Sequence, residues 1–336
     1  MIKRTKINIE DPALAINLFK KMRLIRFVEE AIAEKYPEGK MRCPTHLSIG
    51  QEAVSAAAGL ALEIEDPVVS THRSHGHYLG KGGSVQSMIA ELYGKETGCS
   101  KGFGGSMHLI DKSVGFVGST AIVGSSIPVG VGIGLALQLE SNSQVCGIFL
   151  GDGAVEEGVF WEAANFAALK SLPILFICEN NLYSVYSNID SRQPKGRKIY
   201  ELVSGMGLQT SHGDGNNAIE SYQIIKEARD ACQGGCGPQF VELSTYRWRE
   251  HCGPHFDNHL GYRDMQEFEE WKEYDPIAGL EQSLKSEGLV TANAIEDMDF
   301  EIKKIIDDAF ENAEQSEFPN PKSIANCIYK DEISEC

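Results

Sequence analysis

From Asp11 to Tyr36 the chain reads DPALAINLFKKMRLIRFVEEAIAEKY, with apolar residues returning at helical spacing behind an Asp-Pro start. This predicts one long amphipathic helix, because residues three and four apart share a face and Asp-Pro suits a first turn. Near the middle the period changes. QVCGIFLGDG and PILFICENN are short apolar runs that end in polar turns, and VFWEAANFAALKSL between them is helical. That order predicts a βαβ unit with parallel strands. A second unit follows, with GLQTSHGDGNN and PQFVELSTYRW as strands around the helix AIESYQIIKEARDAC. The alternation predicts an α/β fold: a doubly wound, mostly parallel sheet with helices on both faces.

Residues 39–134 carry no clear period and are rich in Gly, His and Ser. So much glycine in a varied sequence indicates backbone packed closely against a ligand or another chain. After Gly261, GYRDMQEFEEWKEYDPIAGLEQSLKSEG and DFEIKKIIDDAFENAEQSE read as acidic amphipathic helices. There is no internal repeat and no Pro- or Ser-rich linker. One domain over residues 1–336 is expected, with helical extensions at 1–38 and 261–336 around an α/β core at 39–260.

The length of 336 residues and a hydrophobic content of 42% support a sizeable core. A formal charge of −17 excludes a general binder of nucleic acid or anionic membrane, both of which need basic surface. No apolar run approaches the roughly 20 residues of a membrane span, and MIKRTKINIE lacks the apolar centre of a secretory signal. Nine cysteines are scattered without zinc spacing, Cys232 and Cys236 included. Reduced thiols in a cytoplasmic protein follow.

Chemistry concentrates in the first βαβ unit. Asp152 lies just past one strand, and Asn180 and Asn181 lie just past the next. Open parallel sheets bind ligands outside those ends. A carboxylate, an amide oxygen and a backbone carbonyl form a hard oxygen set suited to Mg²⁺ that is completed by ligand phosphates. Gly151 and Gly153 allow a tight turn, and the N–H groups of Gly153 and Ala154, opening the next helix, favour a diphosphate. The second copy, Gly213–Asn217, puts both elements in one turn. Its side chains cannot approach a ligand from two strands, so it reads as a structural turn and cap.

GDG after one strand and NN after the next form the thiamine-diphosphate motif. With HLSIGQEAV, HRSHGHYLGKG, KGFGGSMHL, IVGSSIPVGVGIGLALQ, GDGNN and ELSTYRW in unbroken order, the chain resembles the alpha subunit of the thiamine-dependent decarboxylating component of 2-oxo acid dehydrogenases, pyruvate and acetoin type. The resemblance implies thiamine diphosphate and Mg²⁺ as cofactors. It makes Asp152, Asn181 and the backbone oxygen of Tyr183 the metal ligands, and puts Gly153 and Ala154 on the diphosphate. Arg73 matches the phosphate-binding arginine. His72 stands where the family usually has tyrosine, Val123 matches the apolar wedge that bends the cofactor, and Ala121 replaces a glycine near it. His46 matches a substrate-side histidine, His251 the histidine near the cofactor, and His75 belongs to an active-site loop expected to contact substrate, with His77 beside it. The family's activating glutamate comes from a beta subunit, so two alpha and two beta chains are expected. The chain alone should be inactive. The acceptor implied is the lipoyl group of a transacylase.

Several positions depart from the family. Cys252 replaces the serine beside the histidine in mitochondrial relatives, which removes that phosphorylation site. Pro44 stands where pyruvate-type enzymes have a pocket aromatic, which leaves room for a larger or more polar substrate and keeps a carboligase or acyloin-forming role as the alternative. A scaffold that only binds cofactor is a third reading, disfavoured by the intact Asp152 and Asn181. His255 and His259, close to His251, are at irregular spacing and read as polar loop residues rather than a metal site. DSRQPKGRK, with Arg192, Lys195, Arg197 and Lys198, reads as a solvated loop, while the resemblance places it at the active-site entrance and implies a gating role as the alternative. Glu156, Glu157 and Glu162 read as helix surface. PVGVGIGLALQ lacks the dinucleotide spacing, and HYLGKGGS lacks that of a P-loop.

Overall fold

Four buried strands carry the centre of a six-stranded sheet. The computed structural model describes residues 5–323. Its strands are β1 (Val68–Ser70), β2 (Phe116–Ser119), β3 (Cys146–Gly151), β4 (Ile174–Asn180), the small hairpin strands β5 (Tyr183–Ser184) and β6 (Ser187–Asn188), β7 (Gln209–Asp214) and β8 (Gln239–Ser244). The sheet order is β2-β1-β3-β4-β8-β7, and every pairing in it is parallel. A central parallel strand is buried on both faces, which is why CGIFLG and ILFICEN are continuous apolar runs.

Alternate residues feed two cores. Phe149, Leu175, Ile177 and Val241 pack on one face, and Ile148, Phe176, Cys178 and Phe240 on the other. The helices are α1 (Pro12–Lys35), α2 (Glu52–Ala61), α3 (His75–Gly80), α4 (Val85–Leu92), α5 (Ser126–Leu139), α6 (Gly158–Lys170), α7 (Ile189–Arg192), α8 (Ile199–Ser204), α9 (Ala218–Gln233), α10 (Met265–Glu273), α11 (Pro276–Ser286) and α12 (Ala292–Gln315). Residues of α1, α2, α9 and the C-terminal helices join the first core; those of α5, α6 and α8 join the second. No described helix is long and apolar enough to cross a membrane.

Asp11 caps α1 by accepting from the N–H groups of Ala13 and Leu14, with Pro12 at the first helical position. The pattern expected after Gly261 divides at Asp275-Pro276, where an Asp cap starts α11 as another, Asp264, starts α10. The N–H groups of Gly153 and Ala154 do not open α6. They belong to a separate turn, Asp152–Glu156, because Glu157 is extended (φ −74°, ψ 133°) and breaks the helical path. The unpatterned stretch 39–134 holds β1 and β2, too short at three and four residues to show a period.

Candidate active site

The chain steps outward from β1 to β2 and in the opposite sense from β3 to β4. A crevice therefore opens between β1 and β3 at their carboxyl ends. A cavity of ≈ 180 Å³ lies there. His72 and Arg73 reach it from the turn after β1, Ala121 and Val123 from the loop after β2, and Asp152, Gly153 and Ala154 from the turn after β3. Asn181 and Tyr183 enter from beyond β4, His251 from the loop after β8, and His46 from the segment before α2. Of the residues expected at the site, His75 alone is missing from this wall.

The metal-type ligands are already engaged with the chain. Asp152 is buried, and burial pushes its carboxyl pKa up against the opposing pull of Arg192, whose Nη2 donates to Oδ2 of Asp152. Asn181 Oδ1 accepts from the Tyr183 N–H at 3.1 Å, and its Nδ2 donates to Gln51 Oε1 at 3.1 Å. Three buried atoms on residues of the wall have no hydrogen-bond partner: His46 Nδ1, Gln51 Nε2 and Glu179 Oε1. Native chains rarely leave such atoms unpaired, so each needs a partner from outside the chain, a ligand or a water.

Arg73 is buried and fixed. Nη1 donates to the Leu47 carbonyl at 2.6 Å and Nη2 to that of His251 at 3.1 Å. Burial, with repulsion from Arg247, lowers its pKa to about 10, so it stays charged at neutral pH. Around it stand His46, His72 and His251, with ring centroids 4.6 to 5.3 Å apart. Burial, then Arg73, lowers their pKa values to about 2, 4 and 3. All three rings are neutral at pH 7, each with one donor and one acceptor nitrogen. They form the one group of described His, Cys, Asp and Glu residues with metal-ligand spacing. Arg73 Nη2 lies 3.4 Å from His251 Nδ1, and that positive charge opposes a dication and favours an anion. His255 and His259 are exposed and outside the group.

His75 has a different place from the substrate contact expected. It is fully buried, with Nδ1 2.8 Å from Glu29 Oε1 and Nε2 2.8 Å from Ser106 Oγ. Both ring nitrogens are used. The ring ties α1 to the glycine-rich loop whose next residue, Met107, lines the cavity. His77 lies behind the wall, 3.1 Å from Glu179 Oε2 and 2.7 Å from Ser70 Oγ. Pro44 is exposed and is not on the wall.

Gly213–Asn217 forms a different structure. Asp214 accepts from the N–H of Thr5 at 3.1 Å, Thr5 Oγ1 at 3.0 Å, the Asn216 N–H at 2.9 Å and Tyr274 Oη. Asn216 Nδ2 donates to the Tyr274 carbonyl, and Asn217 Oδ1 accepts from the Glu220 N–H as the cap of α9. This turn binds the segment at Thr5 and the junction between α10 and α11 to the sheet.

Sequence reasoning did not select Gln51 or Glu179, and it named Arg192 only as part of a solvated loop at the active-site entrance, whereas its side chain is largely buried on Asp152. Gln51 stood inside the quoted run HLSIGQEAV, and Glu179 directly precedes the Asn pair. Those neighbours were the available signals. Arg192 meets Asp152 from 40 residues away, a juxtaposition no local pattern carries.

Comparison with known proteins gives a consistent result. A family described as "Dehydrogenase E1 component" matches residues 20–322. The pyruvate dehydrogenase E1 component subunit alpha of Rickettsia bellii is 35% identical over 94% of this chain and 95% of its own length. The chloroplastic subunit alpha-3 of Oryza sativa subsp. japonica is 34% identical over 94% of this chain and 76% of its own. The subunit alpha of Porphyra purpurea is 33% identical over 97% and 95%.

Proposed function

The chain belongs to the dehydrogenase E1 component family, as an alpha subunit of a 2-oxo acid dehydrogenase, and we propose that the cavity between β1 and β3 holds thiamine diphosphate through Mg²⁺. The supporting observation is that Asp152 and Asn181, from separate strand ends, line one cavity whose wall carries unpaired buried polar atoms. The donor set fits the group. A carboxylate, an amide oxygen and the Tyr183 carbonyl are the hard oxygens that Mg²⁺ takes alongside phosphate oxygens. At Gly153 a Cβ would come within 2.6 Å of Ser184 Oγ, so glycine keeps the turn open.

Each residue then has a task. Arg73 and the N–H groups of Gly153 and Ala154 hold the diphosphate, the guanidinium meeting a pair of phosphate oxygens. Val123, partly exposed at 44%, supports the bend of the cofactor, with Ala121 beside it. The chemistry supplied by the bound group is addition of its thiazolium carbanion to a ketone carbonyl and uptake of the electrons left as carboxylate departs. His46, His72 and His251 face the substrate as neutral donors and acceptors. Burial, with Arg73 beside it, keeps them from collecting protons, so they can orient an anionic 2-oxo acid without titrating near neutral pH. His75 acts at one remove by fixing the loop that carries Met107.

A beta chain supplies the activating glutamate in an assembly of two alpha and two beta chains, and the acyl unit passes to a lipoyl group. The cysteines among the described residues are free thiols, in keeping with a reducing compartment such as the cytoplasm. Two experiments test the reading. Calorimetry should show Mg²⁺-dependent binding of thiamine diphosphate that Asp152→Asn abolishes; unchanged binding by the variant refutes the metal assignment. The purified chain should not decarboxylate a 2-oxo acid alone, and turnover without a partner refutes the two-chain site.

A further inference from the structure

The carboxylate assigned to the metal is held by a cation from the chain itself. Arg192, at the end of α7, donates Nη2 to Asp152, Nη1 to Glu156 Oε1 at 2.5 Å and Nε to the Ser187 carbonyl at 3.1 Å. Its side chain is only 11% exposed. Two carboxylates and a carbonyl make an oxygen set of the kind that also suits a small dication. The guanidinium therefore has the surroundings of a metal ion.

We propose that Arg192 is an exchangeable counter-ion of the cofactor site: it holds Asp152 and is displaced from that carboxylate when the dication binds. The proposal rests on the cofactor reading above. The dication and the guanidinium draw on the same buried carboxylate, whose Oδ2 the guanidinium already holds, so the two compete for it. Of the two, the guanidinium has somewhere to go. Residues 194–198, directly after Gln193, are exposed, so nothing packed blocks movement on that side.

The backbone that presents Arg192 is strained. Leu182 has φ 70° and Val185 φ 54°, left-handed values that are uncommon for any side chain and an outlier for a β-branched one. Such strain persists only where surrounding contacts impose it, and it gathers at switch segments. Val185 is held through its carbonyl by Arg247 Nη2 at 2.7 Å, and the far end of the strap is held by Arg192. The Tyr183 carbonyl, assigned to the metal, lies between these two strained residues. Metal binding thus engages the strap near its start and releases it at its end.

The test is a calorimetric titration of Mg²⁺ into the full chain with saturating thiamine diphosphate. Arg192→Gln should bind Mg²⁺ about tenfold more tightly than wild type, since removing an internal competitor raises the apparent affinity. Arg192→Lys, which keeps the charge, should stay near wild type. A variant that merely disturbed the fold would bind more weakly, so tightening is the diagnostic outcome. Affinity for Arg192→Gln within twofold of wild type, or weaker, overturns the proposal. Asp152→Asn separates the two ideas: if it keeps Mg²⁺-dependent binding, the cofactor reading itself fails. If it loses binding while Arg192→Gln leaves affinity unchanged, only the exchange fails.

Discussion

Gly151–Gly153 with Asn180 and Asn181, and the turn Gly213–Asn217, contain the same residue types, but their aspartates are held in different ways. In the turn, Asp214 accepts from four donors, and Asn216 and Asn217 bond Tyr274 and Thr5 of other segments. In the separated pair, Asp152 is held by one side chain that sits where a cation would, and the wall around it carries unpaired atoms. A helix lies between the two halves of the pair. Residue type alone therefore does not distinguish a ligand site from a clamp; what distinguishes them is whether the aspartate is fixed by several neutral donors or held by one cation beside a cavity. Both lie at the carboxyl ends of the parallel strands, one beside the central crevice and the other at the edge strand β7.

The sharpest way to break this comparison is to make the same substitution in both copies. Asp152→Asn should lower cofactor affinity by at least about a hundredfold while shifting stability little, since a buried carboxyl with a raised pKa loses only one strong partner. Asp214→Asn should do the reverse. Replacing one acceptor oxygen by NH₂ sets a donor against Thr5 or Tyr274, at a cost of about 2 kcal/mol, with cofactor affinity kept. Denaturant unfolding and calorimetry on the two variants check both halves. If Asp214→Asn lost the cofactor and kept its stability, the roles assigned to the two copies would be exchanged.

The contrast also shows what the sequence made legible. The second copy could be set aside from spacing alone, because adjacent residues in one turn cannot come from two strands. Likewise β3, α6 and β4 were readable, since strands buried on both faces must be apolar throughout. β1 and β2 were not, because three and four residues cannot display a period, least of all among glycines. The wall of the cavity was recovered through motifs, each a local run of residues. What escaped was set by contacts between distant segments: Arg192 on Asp152, His77 behind Glu179, and both nitrogens of His75 taken by Glu29 and Ser106. Histidine spacing in HRSHGHY says nothing of which ring faces in. That is decided by the packing of α3 against α1 and α2.

A smaller effect sharpens the comparison further, because the cavity end of the sheet stores a pH dependence in its neutral histidines. For His72 burial and Arg73 lower the folded pKa to about 4, whereas an unfolded histidine titrates near ~6.5. Between these values the unfolded chain binds the proton and the folded chain does not. The sign follows: stability is complete above about pH 6.5 and is lost as pH falls towards about 4. Partial exposure of the ring reduces the linkage from its full value, leaving about 1 kcal/mol between pH 7 and pH 5. His72→Gln keeps a polar side chain of similar reach and removes this term. Its unfolding free energy should therefore fall about 1 kcal/mol less than that of wild type over the same interval, measured by urea titration at both values. Equal losses in the two proteins would mean that His72 takes up its proton in the folded chain as readily as in the unfolded one. The cluster would then carry positive charge towards the substrate near pH 5, and the argument that burial and Arg73 hold these rings neutral would fail with it.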